Sequence, residues 1–99
     1  MSSSLESQFT IFAERVKTLK YVVDDDLAVL YGNYKQAMLG DNTTAAPFFL
    51  QFQAAAKWSA WTACKGKTKE QAMQDYIAKV KELLQLENAE EPEVARETA

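Results

Sequence analysis

Met73, Tyr76, Ile77, Val80, Leu83 and Leu84 recur at spacings of three and four, and this stripe limits the possible folds more than any other feature. Such spacing places all six side chains on one face of an α-helix, and that face must pack against other elements. Thr68 stands before the stripe with Gln71 three residues on, the spacing of a capping box. No segment of the chain alternates apolar and polar residues at period two for long enough to read as a strand.

Three further helices read from the same periodicity. The first spans about Ser4 to Leu19, with Ser3 and Glu6 in capping-box spacing and Phe9, Phe12, Val16 and Leu19 along one face. The second opens at Asp24-Asp25-Asp26, where carboxylates suit the positive end of a helix dipole. Its apolar face is expected to hold Leu27, Leu30, Tyr31, Tyr34 and Met38, and Gly40 is its natural stop. After the loop GDNTTAAP, a third helix is expected from about Phe49 to Lys65, ending at Gly66. Four helices with short connections imply an all-α bundle.

At 99 residues the chain suits one domain with one core. It contains no histidine, which removes histidine-based acid–base work, the nucleophilic triads and most zinc sites. There is no glycine-rich phosphate loop, no metal-ligand cluster and no carboxylate pair with acid–base separation, so an enzyme is not expected. The one cysteine, Cys64, has no internal partner and sits near a helix C-terminus, which points to a reducing compartment and an unreactive thiol. No apolar run approaches the ~20 residues of a membrane span. The start, MSSSLESQF, lacks the features of a secretory signal, so a cytoplasmic location is expected. Asn42-Thr43-Thr44 fits a glycosylation sequon by chance on that reading.

The net charge of −3 is unevenly spread: residues 82–99 carry −5 and the first 81 residues +2. From Lys57 to Lys69 there are four lysines and no acid. That field suits a compact polyanion rather than a long nucleic acid. On charge alone, simple solvation of a helix end serves as well.

Tyr31, Tyr34 and Lys35 share one helix face, an aromatic pair beside an ammonium that suits a nucleotide. Taken by themselves they read better as core tyrosines with a snorkelling lysine. Trp58 and Trp61 are expected in the core, because a chain of this size has few other ways to fill its centre. Tyr76 reads as a buried tyrosine whose hydroxyl finds a partner.

Residues 31–41 read YGNYKQAMLGD and residues 57–77 read KWSAWTACKGKTKEQAMQDYI. Together they resemble the signature of the acyl-CoA-binding protein family, YxxYKQAxxGD followed by KWxAWxxxKGxxxxxAMxxYI. A looser likeness extends from Phe9 to Leu84. The resemblance implies an antiparallel up-down-down-up four-helix bundle that binds one fatty acyl-CoA thioester, with no catalysis and no cofactor. By position, Tyr31, Tyr34 and Lys35 resemble the residues that meet the adenine and 3′-phosphate, and Lys57 a second phosphate-binding lysine. Tyr76 matches the fourth-helix tyrosine that closes on the ligand, Lys17 a further ligand-facing cation, and Leu27 an apolar position of the acyl groove. The sequence departs from the family pattern at Tyr21-Val22-Val23, at Phe12, at Ala54-Ala55 and at Phe48-Phe49, which replaces a less bulky pair.

These readings divide the chain into an acyl-CoA-binding domain, residues 4–86, and an acidic tail, residues 87–99, expected to be disordered. They imply a monomeric soluble carrier and buffer of medium- to long-chain acyl-CoA that touches membranes or acyl-CoA-using enzymes in passing, without stable insertion. A helical adaptor that takes a partner's acidic helix on the same Tyr/Lys face is the reading from another class.

Overall fold

The caps and turns set the helix limits. The computed structural model describes residues 4–98, with side chains described as far as Ala89. Helix α1, Leu5–Arg15, is capped by Ser4, whose Oγ accepts from the Ser7 N–H at 3.1 Å. This is one residue later than the expected capping box, and Ser3 lies outside the described residues. A single 3₁₀ turn, Val16–Thr18, follows. Helix α2, Asp24–Leu39, opens on its three aspartates and stops at Gly40, where φ is 80°.

Helix α3, Phe52–Thr62, is shorter at both ends than the expected Phe49–Lys65. At its start the Phe48 carbonyl accepts from the Gln51 N–H at 2.9 Å, closing a turn that holds Phe49 and Leu50 outside the helix. At its end a run of tight turn bonds leads to Gly66, at φ 93°. Helix α4 runs Lys69–Thr98, with Thr68 Oγ1 accepting from the Gln71 N–H at 3.0 Å as the capping spacing predicts. Four helices and no strand occur among the described residues.

Side-chain pairs fix the helix directions. Phe9 meets Tyr76, and the Lys20 N–H reaches the Glu87 carboxylate at 2.8 Å, so α1 and α4 run the same way. Tyr31 meets Lys57 and Lys35 meets Trp61, so α2 and α3 also run together. Asp26 pairs with Lys79, and Tyr34 with Tyr76, which sets α2 against α4. The result is the up-down-down-up bundle.

The core is Phe9, Leu30, Ala37, Ala72, Tyr76, Ile77, Val80 and Leu83, from α1, α2 and α4. No α3 residue is buried. Helix α2 buries Leu30, Gly32, Asn33, Gln36 and Ala37, whereas Leu27, Tyr34 and Met38, expected on its apolar face, stand partly in water. The polar members keep most of their polar atoms paired, with Gln36 Oε1 the exception among the described residues. Asn33 Nδ2 donates to the Val29 carbonyl at 2.9 Å and Asn33 Oδ1 accepts from Lys67 Nζ at 2.8 Å. Gln36 Nε2 donates to Asp41 and to the Lys67 carbonyl, at 2.8 and 2.9 Å. A hydrogen-bonded amide inside a helix seam costs little, so polarity is a poor guide to the face.

No break in the backbone marks the expected limit at residue 86, since α4 is continuous through Thr98. Glu87, placed in the tail by composition, instead fastens α4 to the segment after α1 through Lys20. Among the described residues no helix is long and apolar enough to cross a membrane.

Candidate functional site

Helix α3 rests on α2 at a glycine. A Cβ built on Gly32 would lie 2.2 Å from the Ala60 carbonyl oxygen and 3.1 Å from Cys64 Sγ, so only glycine admits this approach. The Cys64 thiol is buried at the contact, and burial pushes its pKa up with Lys67 partly opposing. A buried thiol with a raised pKa holds little of the reactive thiolate form.

The crossover loop then locks α3 in place. Trp58 Nε1 donates to the Thr44 carbonyl at 3.0 Å and Trp61 Nε1 to the Gly40 carbonyl at 2.8 Å. Neither tryptophan enters the core as expected. Both are half-buried beneath the loop, where each indole N–H finds a carbonyl that the core does not offer. Asn42, only 8% exposed, donates to Thr62 Oγ1 at 3.0 Å and accepts from the Thr44 N–H at 2.9 Å. The sequon asparagine is thus a loop clasp. Asp41 accepts from the Gly66 N–H at 2.9 Å and from Gln36, and these two bonds, with the first the stronger cause, hold its carboxyl below the usual range.

This scaffold brings five of the seven candidate side chains into two adjoining groups. Along the α2–α3 seam, Lys57 Nζ lies 5.8 Å from the Tyr31 ring centre and Lys35 Nζ 5.0 Å from that of Trp61. Among the described residues neither lysine pairs with a carboxylate, in contrast to Lys17, Lys67 and Lys79. One turn round α2, Tyr34 stacks on Phe9 at 5.6 Å and tilts toward Tyr76 at 5.9 Å, while Phe9 meets Tyr76 edge-on at 5.1 Å.

Tyr34 is 38% exposed and Tyr76 only 4%. Burial raises the Tyr76 phenol pKa, with Tyr34 adding to the effect. Tyr76 is buried as expected, yet its hydroxyl makes no hydrogen bond among the described residues. Ring packing replaces the expected polar partner.

Leu27 lies one turn before Tyr31 on the same side of α2 and is 49% exposed, an apolar side chain left uncovered at the seam. Lys17 stands apart from both groups. It follows α1 and pairs with Glu14 at 3.0 Å, both side chains 70% exposed. A hollow of about 340 Å³ lined by Lys20, Val23, Asp26, Leu83 and Glu87 contains none of the candidates. Spacing alone did not reveal the roles of Gly32, Trp61 and Phe9 as supports. The lone glycine inside a helical pattern was the available signal, since such a glycine often marks a close approach.

Two ammonium groups without carboxylate partners, one beside a half-exposed phenol and one beside an indole, can hold a phosphate and cover a heterocycle. The comparisons agree with that chemistry. The family model "Acyl CoA binding protein" matches residues 6–80. The chain is 48% identical over 82 residues to acyl-CoA-binding domain-containing protein 2 of Oryza sativa subsp. japonica, covering 82% of this chain and 90% of the relative. It is 46% identical to an acyl-CoA-binding protein of Gossypium hirsutum, covering 82% of this chain and 92% of the relative. The crystal structure of Oryza sativa acyl-CoA-binding protein 2 superposes with a TM-score of 0.84 at 46% identity, over 87% of this chain and 97% of the other. That of Moniliophthora perniciosa superposes at 0.77 and 29% identity, over 99% and 100%. A match across the whole helical body, joined to this arrangement of tyrosines and lysines, places the chain in the acyl-CoA-binding protein family.

Proposed function

We propose that this protein binds one medium- to long-chain fatty acyl-CoA without covalent chemistry and serves as a soluble, monomeric carrier and buffer of it in the cytoplasm. The observation that carries the reading is the α2–α3 seam, where Lys57 beside half-exposed Tyr31 and Lys35 beside Trp61 lack carboxylate partners among the described residues. A 3′-phosphate held between two such ammoniums gains charge-assisted bonds with no ion pair to break first. Tyr34, backed by Phe9, offers a ring face to adenine, and the free Tyr76 hydroxyl offers a donor nearby. Lys17 joins only by leaving Glu14, and an exposed pair of that kind costs little to open.

The acyl chain follows the seam past Leu27, whose exposure in the ligand-free protein is explained if a tail covers it. Residues 4–86 form the binding unit on this reading, and the acidic remainder lies outside the site. Each methylene withdrawn from water contributes about 0.8 kcal/mol, or roughly fourfold in affinity. Calorimetric titration with esters of rising length should therefore show gains near fourfold per methylene and then a plateau. If butyryl-CoA bound as tightly as palmitoyl-CoA, the tail would not be buried and the carrier reading would fall.

A further inference from the structure

We propose that Phe48, Phe49, Leu50 and Phe52 form a docking tip for the surface of an anionic phospholipid bilayer. Their side chains are 60, 71, 56 and 73% exposed, and none of them belongs to the core. Phe48 and Phe49 pack on each other at 4.9 Å. The turn closed by the Gln51 N–H on the Phe48 carbonyl fixes them at the head of α3.

At roughly 200 Å² for a phenylalanine, the four side chains show water about 500 Å² of apolar surface. That is the size of the largest apolar patch on a typical monomer, which is often a functional contact. It falls short of the roughly 800 Å² per copy that a stable dimer needs.

The charge pattern identifies the occupant. Residues 42–56 contain no ionisable side chain, and residues 42–69 contain four lysines and no acid, with only Lys67 paired to a carboxylate among the described residues, while the rest of the chain carries −7. An uncharged apolar turn leading into a cationic segment matches a lipid interface of negative potential. A second copy meeting it about a two-fold axis brings like charges together. Lys57 follows Phe52 by five residues, about 7.5 Å along the helix, so a docked tip brings the seam to the lipid. The tip deepens the carrier reading by giving it a site of membrane contact, but docking itself needs no ligand.

The test is co-sedimentation of the full chain at low salt with phosphatidylcholine vesicles containing about a fifth phosphatidylserine. The parent should partition onto them, less so onto phosphatidylcholine alone. The double substitution Phe48→Ser with Phe49→Ser should lower partition by about tenfold per ring lost. Its melting temperature should stay that of the parent, since neither ring touches the core. The proposal is overturned if the parent fails to bind, if the double variant binds as well as the parent, or if sedimentation equilibrium without vesicles shows a dimer that the double variant abolishes. Palmitoyl-CoA calorimetry on the parent keeps the two readings apart. Vesicle binding without palmitoyl-CoA binding sinks the carrier and leaves the tip, and the converse sinks the tip alone.

Discussion

Replacing Gly32 by alanine sets two effects of opposite sign against each other. In a helix interior the change alone stabilises by about 1 kcal/mol, because glycine loses more backbone freedom on folding. Against this, the new methyl carbon would lie 2.2 Å from the Ala60 carbonyl oxygen, where ordinary contact begins at 3.4 Å. Helix α3 must therefore recede by about 1 Å. The obstructing atom is backbone and has no rotamer to escape into, so the overpacking cost falls at about 2–3 kcal/mol.

The net expectation is a loss of about 1–2 kcal/mol, lowering Tm by roughly 4–16 °C for a domain of this size. The core of α1, α2 and α4 contains no α3 residue, so helicity at room temperature should be retained. The displacement falls on the seam itself, however. Tyr31 with Lys57 and Lys35 with Trp61 both span it, so palmitoyl-CoA affinity should drop by about tenfold, the loss of one charge-assisted bond. Thermal melting by circular dichroism and calorimetric titration together decide the matter. A variant that melts higher than the parent and binds normally would refute the claim that α3 presses on Gly32.

Three further outcomes are expected. Lys35→Ala should weaken acyl-CoA binding by about 1.5–3 kcal/mol, and equal losses for CoA and dephospho-CoA esters in calorimetry would assign the lysine a role other than holding the 3′-phosphate. Asp41, held low chiefly by the Gly66 N–H, and Asp75, held low chiefly by its bond from Lys67, both have folded-state pKa values below their unfolded ones. Their stabilisation is complete above about pH 4 and disappears as pH falls through the depressed values; Asp41→Asn should flatten the acid side of the Tm–pH curve, and an unchanged slope would remove Asp41 from this account. Ending the chain at Ala89 removes four glutamates and one arginine, and stopped-flow association with palmitoyl-CoA should then be faster at low salt and unaltered at high salt; equal rates at all salt concentrations would show the removed charge to be too far from the seam.

The parts of the fold that were legible in the sequence are those fixed by local periodicity. The stripe from Met73 to Leu84 and the stop at Gly40 depend on spacing and on one residue's conformational range. Thr68 likewise caps within its own turn. The features that spacing did not show depend on partners elsewhere in the chain. Asn33 and Gln36 are met by Lys67, the first through its ammonium and the second through its carbonyl. Trp58 and Trp61 leave the core because Thr44 and Gly40 present carbonyls to their indole N–H groups. At the seam, the shared face of Tyr31, Tyr34 and Lys35 follows from helical spacing alone. The meeting of Lys57 with Tyr31 needed the motif, and Lys35 over Trp61 needed the fold.

The position of α3 explains how an acidic chain can be expected to attract an anion. The helix buries none of its residues and packs chiefly against α2. It owes its place to a glycine contact and to the loop that the two tryptophans and Asn42 fasten. A helix freed from filling the core can carry residues chosen for what lies outside it. Here those are Phe52, exposed at its head beside the aromatic turn, and Lys57, with no acid anywhere on the helix. The acids are placed elsewhere, on α1, α2 and α4 and at Asp41 just after α2, and three of them, Glu14, Asp75 and Asp26, pair with Lys17, Lys67 and Lys79. Net charge therefore misleads about this surface. What an approaching phosphate meets first is set by how charge is divided among the helices, and residues 42–69 hold four lysines and no acid, with only Lys67 of the four paired to a carboxylate among the described residues, that of Asp75.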